Sequence, residues 1–263
     1  MTLSIAVYLL TGGLAGLLAG LLGVGGGLVI VPVLAFFFIY RGFPPEMIMQ
    51  MAVGTSLATI VPTSISSLRT HHRYGAVRWT VLAALAPGVV IGALLGAVLA
   101  HQISSHALQL VFGVFVLLAA TRLVFGHTPA SHRSLPGRIG LAAAGVPIGG
   151  FSALVGIGGG TLTVPYLLWH NVGVRQAVGT SAATGLPIAL AGAAGFALTG
   201  SAQPSLPAGS TGYLYWPAVV AISLASILLA PVGAHLAHRI PRDALLKVFA
   251  VFLALVGLKM ILV

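Results

Sequence analysis

A glycine-rich run occurs twice in this 263-residue chain, and its repetition constrains the fold more than any other feature. The first copy is Gly23-Val24-Gly25-Gly26-Gly27, followed by an apolar run ending in Val31-Pro32. The second is Gly156-Ile157-Gly158-Gly159-Gly160, followed by Thr161 to Val164 and Pro165, with the same spacing from last glycine to proline. Two further pairs come in the same order. Ala52-Val53-Gly54-Thr55-Ser56 matches Ala177-Val178-Gly179-Thr180-Ser181, with Thr59 and Pro62 equivalent to Thr184 and Pro187. Gly75 and Trp79 match Gly212 and Trp216. The chain therefore reads as an internal duplication, with a first repeat over 1–125, a linker over 126–138 and a second repeat over 139–263.

The apolar character of both repeats fixes the solvent. Charged residues make up 5% of the chain, hydrophobic ones 58%, and the mean hydropathy is +1.10. A soluble domain carries about 25% charged residues, and several apolar runs here approach the ~20 residues that cross a bilayer as a helix. The expected fold is an all-α polytopic membrane protein. It has about five helical elements per repeat, eight to ten of them transmembrane, with two broken or re-entrant at the glycine runs. Twelve Lys and Arg against two acids give a net charge of +10, which the positive-inside rule accounts for. No loop is long enough to build a basic nucleic-acid face, so nucleic acid is excluded as a partner. Without cysteine there is no disulfide, thiolate nucleophile or thiolate metal site. The first apolar segment lacks a charged leader region and reads as a retained span.

The expected segments of the first repeat are about Ser4–Leu22, Leu28–Ile39, Glu46–Ser67, Trp79–Ala100 and Ala107–Phe125. Those of the second are Ile139–Val155, Thr161–Trp169, Gln176–Leu198, Tyr213–His235 and Ala244–Val263. Glycines spaced by four (Gly12, Gly16, Gly20 and Gly88, Gly92, Gly96) put small-residue stripes on helix faces, where other helices can approach closely. A basic loop holding Arg69, His71, His72, Arg73 and Arg78 has an uncharged counterpart, Thr199–Gly212. The next pair reverses this contrast: His101–His106 has no Lys or Arg, while His238–Lys247 has Arg239, Arg242 and Lys247. Equivalent loops on opposite sides are the mark of an inverted-topology repeat. The basic loops and the linker are expected in the cytoplasm, with both termini outside.

Each glycine run interrupts a helix at membrane depth, where backbone polar groups need protein or a watery cavity to satisfy them. The short segment that follows begins with bare amides and the positive end of its dipole, an arrangement suited to an anion. The candidate substrate-binding residues are Gly25, Gly26, Gly27, Thr55 and Ser56, with Gly158, Gly159, Gly160, Thr161, Thr180 and Ser181 from the second repeat. Any one of these glycines taken singly is more often a packing contact, and the hydroxyls could instead bond back to a carbonyl one turn earlier. The runs are neither a G-x-G-x-x-G fingerprint nor a P-loop, since the spacing differs and no lysine follows. Nine histidines suggest no metal site, because no carboxylate lies near in sequence to complete one. Segment interiors contain no acid, which disfavours cation transport. No catalytic residue and no cofactor is assigned.

With its repeated glycine runs, their Val-Pro endings and the two Val-Gly-Thr-Ser stretches, nearly the whole chain resembles the sulfite exporter TauE/SafE family. That resemblance implies a multi-pass permease of the bacterial inner (cytoplasmic) membrane, moving small sulfur-containing anions such as sulfite or organosulfonates. It offers no substrate-binding side chain beyond the motifs above. The expected function is secondary transport of a small anion held near the midplane between the glycine breaks. The alternatives are a passive anion channel and an intramembrane Ser/His hydrolase. The expected partners are the small anion and the lipid bilayer. Direction, coupling ion and oligomeric state stay open, a homodimer among the alternatives.

Overall fold

The computed structural model describes the backbone of residues 2–22, 26–125, 134–236 and 242–262, and the side-chain surroundings of 3–19, 26–125, 134–232 and 249–262. The described residues form α1 Thr2–Leu22, α2 Gly27–Tyr40, α3 Ile48–Arg73, α4 Trp79–Gln102 and α5 Ser105–Phe125, then α6 Arg138–Val155, α7 Gly160–Trp169, α8 Val174–Gly200, α9 Trp216–Leu236 and α10 Arg242–Leu262. Among the described residues, five helical stretches are long and apolar enough to cross a membrane: Pro45–Arg73, Trp79–Gln102, Ser105–Phe125, Arg138–Val155 and Val174–Gly200. Shorter apolar stretches accompany them at Leu3–Ala19, Gly27–Tyr40, Trp216–Val232 and Phe249–Leu262. The all-α polytopic expectation therefore holds, and α2 and α7 are the short helices that follow the two glycine runs. Most of the expected linker, residues 126–133, lies outside the described residues, as do Gly23–Gly25, His238 and Arg239.

Two local expectations need correcting. The region expected as an uncharged loop before Gly212 includes a small antiparallel hairpin, pairing Ser210 with Tyr215 and Thr211 with Leu214. Gly212 opens its two-residue turn at φ +55, a conformation glycine adopts without strain. The basic loop is also shorter than expected. Arg69, His71, His72 and Arg73 belong to α3, and only Tyr74–Arg78 connects α3 to α4. Cations are favourable in a last helical turn. The helix stops one residue later with amides of Gly75 and Ala76 donating to the carbonyls of His72 and His71 (2.9 and 3.0 Å), a Schellman closure.

The packing repeats residue for residue. α1 lies on α9 with Gly12 against the Ile222 carbonyl and Gly16 against that of Ser226. α6 lies on α4 with Gly145 against the Leu85 carbonyl and Gly149 against that of Val89. Gly12 and Gly145 stand equally far before their glycine runs, as do Gly16 and Gly149. Their partners stand equally far beyond Trp216 and Trp79. The stripe of α4 meets α6 in turn, Gly88 at Ala142, Gly92 at Val146 and Gly96 at Gly150. Helices in lipid associate through such close backbone contact, because no hydrophobic force separates them from the surrounding tails. α3 and α8 cross at the centre, and α5 pairs with α10.

Hydrogen bonds sort the loops into two sides. α3 has 26 residues, a span of about 39 Å at 1.5 Å per residue. At its first end Met49 donates its amide to Ser105 Oγ (3.1 Å), and Gln50 donates to the carbonyls of Ala100 and Ile103. The same side holds the Arg41–Ser4 and His101–Tyr213 contacts. At the far end the Tyr74 carbonyl accepts from Arg175 Nη2 (2.6 Å). The α2–α3 connection and its equivalent between α7 and α8 therefore lie at opposite ends of α3. Arg69, Arg73, Arg78 and Arg175 gather at the second end.

Replacing Gly149 by Leu drives a side chain into the Val89 backbone, and Gly16→Leu does the same at Ser226. Each change is expected to destabilise the protein by about 1–3 kcal/mol or more. Thermal unfolding in detergent measures it, and equal losses at both sites are expected because the contacts are equivalent.

Candidate functional site

The second glycine run is resolved throughout and divides its labour. Gly156 ends α6 at φ +72, where its amide donates to Ala153 and that of Ile157 to Ser152 (3.2 and 2.9 Å). A side chain is strained in this left-handed conformation. Gly159 then caps α7 (φ −61, ψ −15), and its carbonyl receives the Thr163 amide at 2.9 Å. In the first repeat Gly26 caps α2 with nearly the same angles (φ −72, ψ −11), its carbonyl receiving the amides of Val29 and Ile30.

The two interruptions touch. A methyl group at Gly27 would collide with the Gly156 carbonyl and lie 2.9 Å from the Ile157 Cα, so only glycine allows the contact. Ser56 Oγ donates to that same Gly156 carbonyl at 2.8 Å. A carbonyl freed by the helix break is thereby satisfied from the other repeat.

Beside this contact lies a cavity of about 70 Å³. Its walls include Gly26 from the first break and Gly158, Gly159 and Gly160 from the second, with Ser181 and Gly185 of α8. Thr63, Ser64 and Ser67 of α3 and Ser226 of α9 add hydroxyls. No acidic or basic side chain is among the described lining residues. Ser181 is fully buried, and its Oγ has no hydrogen-bond partner among the described residues. The first amides of α2 and α7 have no partner within their own helices, as at any helix start. The described wall is thus made of neutral hydroxyls and bordered by the starts of two helices.

Of the residues singled out by sequence, Gly26, Gly158, Gly159, Gly160 and Ser181 line this cavity. Gly25 lies outside the described residues. Gly27 belongs to the contact between the breaks. Thr161 is not in the lining, and its hydroxyl is buried without a partner among the described residues. Thr55, Ser56 and Thr180 are elsewhere too, with their hydroxyls taken up by the protein. Thr55 Oγ1 accepts the Tyr215 amide (3.1 Å) and faces the Tyr213 carbonyl at 3.5 Å; Thr180 Oγ1 accepts the Arg78 amide (2.9 Å). The adjacent glycines follow suit, Gly54 meeting Tyr213 and Gly179 meeting Ala76. Each Gly-Thr-Ser stretch therefore grips the other repeat's connection into α9 or α4. Near one of these grips, burial pushes the Tyr213 phenol above its ordinary value, against a hydrogen bond from Gln203, and the hydroxyl stays protonated beside His101 Nδ1 at 3.0 Å.

Sequence reasoning missed Thr63, Ser64, Ser67 and Ser226. Ser64 and Ser67 have no counterparts with hydroxyls: their equivalents are Ala189 and Gly192, so a search for repeated residues passes over them. The available signal is Thr63, Ser64 and Ser67 clustered on one helix just after Pro62.

Discontinuous helices meeting at a small cavity, among helices of membrane length, are how secondary transporters hold substrates. The protein is accordingly a multi-pass membrane transporter. Comparison with known proteins makes this particular. The profile described as sulfite exporter TauE/SafE matches residues 8–260, and the chain belongs to that family. It is similar to a probable membrane transporter protein of Haemophilus influenzae, 36% identical over 263 residues and covering 98% of each chain. It is also similar to one of Methanocaldococcus jannaschii, 28% identical over 270 residues covering 99% of this chain and 96% of the relative. A third, from Bacillus subtilis, is 26% identical over 280 residues and 98% of each chain. No solved structure matches the chain significantly.

Thr55→Val leaves the buried Tyr215 amide unpaired and is expected to cost about 1–3 kcal/mol. Thr180→Val is expected to cost less, since the Arg78 amide is only part-buried. Melting temperatures of the two variants check the order.

Proposed function

We propose that this chain is a secondary transporter of a small anion, sulfite or an organosulfonate, bound in the cavity between the two glycine breaks. The observation that carries the proposal is the convergence of Gly26, Gly159 and the unpartnered Ser181 hydroxyl on one cavity without acidic side chains. Helix N-termini favour negative charge and present free amides to it. The membrane is proposed to be the cytoplasmic (inner) one, with the arginine-rich end of α3 facing the cytoplasm by the positive-inside rule. The lipid bilayer and the small anion are the proposed partners.

Alternating access is supported by an asymmetry between the repeats. The α3 residues in the cavity wall, Ile60, Thr63, Ser64 and Ser67, lie in the half of the helix toward Arg73. Their equivalents in α8 are Gly185, which lies in the same cavity wall, and Ile188, Ala189 and Gly192, where the space is filled. Ile188 and Ala189 are fully buried, and Gly192 faces Leu57 Cδ1 with no room for a methyl. One side is open while its mirror is packed, and rocking of the repeats would exchange them.

Gly158 offers the cleanest test. A methyl there meets only Ile60 Cγ2 at 3.7 Å, an ordinary contact on the cavity wall. Gly158→Leu is expected to fill the cavity and abolish sulfite or sulfonate flux in proteoliposomes while the melting temperature stays close to that of the parent. Ser181→Ala is expected to raise the apparent KM on the order of tenfold or more, as for a lost hydrogen bond to a charged group. Unchanged transport in both variants removes the cavity as the binding site.

A further inference from the structure

The two helix starts that border the cavity bring it a limited amount of positive charge. Gly26 caps α2, Gly159 caps α7, and both are in its wall. A helix N-terminus presents roughly half an elementary charge, so the pair presents roughly one. No side-chain cation adds to this among the described lining residues, which are Ala, Gly, Ile, Ser and Thr. Ser181, fully buried with its Oγ unpartnered among the described residues, contributes a neutral donor to the same wall.

Resting on the proposed use of this cavity as the substrate site, we infer that it accepts its oxyanion only as the monoanion. Hydrogensulfite or a monovalent sulfonate enters; the sulfite dianion and sulfate do not. The desolvation penalty of an ion grows as the square of its charge, whereas its attraction to fixed dipoles grows in direct proportion. A second negative charge therefore quadruples the penalty and only doubles the return. Against that penalty the described wall sets only dipole ends and neutral hydroxyls, with no side-chain cation among its described residues.

The pH dependence of transport then belongs to the substrate. The titratable or charged side chains on the bordering helices are Tyr8 on α1, Tyr40 on α2, Arg69 and the His71–Arg73 cluster on α3, Tyr166 on α7 and Arg175 on α8, and none is in the wall. On α9 the surroundings of His235 are outside the described side chains. Of these, Arg69 is two residues past Ser67, and His71, one turn past it, is the histidine nearest to a lining residue along the chain.

The test uses the purified full chain in proteoliposomes with equal pH on both sides, which removes any proton gradient. Radiolabelled methanesulfonate, sulfite and sulfate are compared across the second ionisation of sulfurous acid, near neutrality. Methanesulfonate keeps one charge throughout, and its flux is expected to stay level. Sulfite flux is expected to fall on the order of tenfold per pH unit above that ionisation as the monoanion is depleted, and sulfate flux to remain at background. His71→Gln is expected to keep the same three profiles. Sulfate carried as fast as methanesulfonate, a sulfite flux that holds or rises with pH, or a sulfite profile flattened by His71→Gln overturns the charge selectivity and leaves the cavity reading in place. Absence of flux for all three anions overturns the transport reading and this inference with it.

Discussion

A helix broken inside hydrocarbon exposes peptide groups that lipid cannot satisfy, each at several kcal/mol. The rest of this structure depends on how those groups are answered. The Gly156 carbonyl, released where α6 stops, receives the Ser56 hydroxyl and has Gly27 pressed against it, both from the other repeat. The break at Gly156 is thus answered from the other repeat. The duplication is thus more than a record of ancestry, because each copy supplies polar groups that the other lacks.

The same exchange recurs at the Gly-Thr-Ser stretches. Thr55 binds the backbone leading into α9, and Thr180 binds the backbone leading into α4. These threonines are anchors between repeats, while the serine next to Thr180 is left free at the cavity. Symmetry of sequence coexists with asymmetry of use: Ser56 is spent on a carbonyl, and Ser181 is in the cavity wall with its hydroxyl unpartnered among the described residues. A transporter that alternates between two conformations requires this kind of asymmetry at any one moment.

Much of this was legible in the sequence. Composition gave the membrane, glycine spacing gave the close-packing faces of α1 and α4 though not their partners, and the repeated runs gave the breaks and their proximity. Two kinds of information were not legible. Partners distant in sequence, such as Thr180 with Arg78, depend on which helices the fold brings together, and no periodicity encodes that. Residues present in only one repeat, such as Ser64 and Ser67, carry no repetition to mark them. Boundaries were least legible where polar residues stay helical: α3 runs on through His71, His72 and Arg73 because its last turn favours cations.

The central claim is that the space between the breaks holds the transported anion, and the absence of native cysteine allows a direct probe of it. A single Ser181→Cys thiol can be alkylated by a membrane-permeant reagent in the presence of increasing methanesulfonate, with Leu190→Cys on the exposed face of α8 as reference. The account predicts that alkylation at position 181 slows progressively as the anion is added while position 190 is unaffected. Equal rates at position 181 with and without a concentration that saturates transport would contradict it.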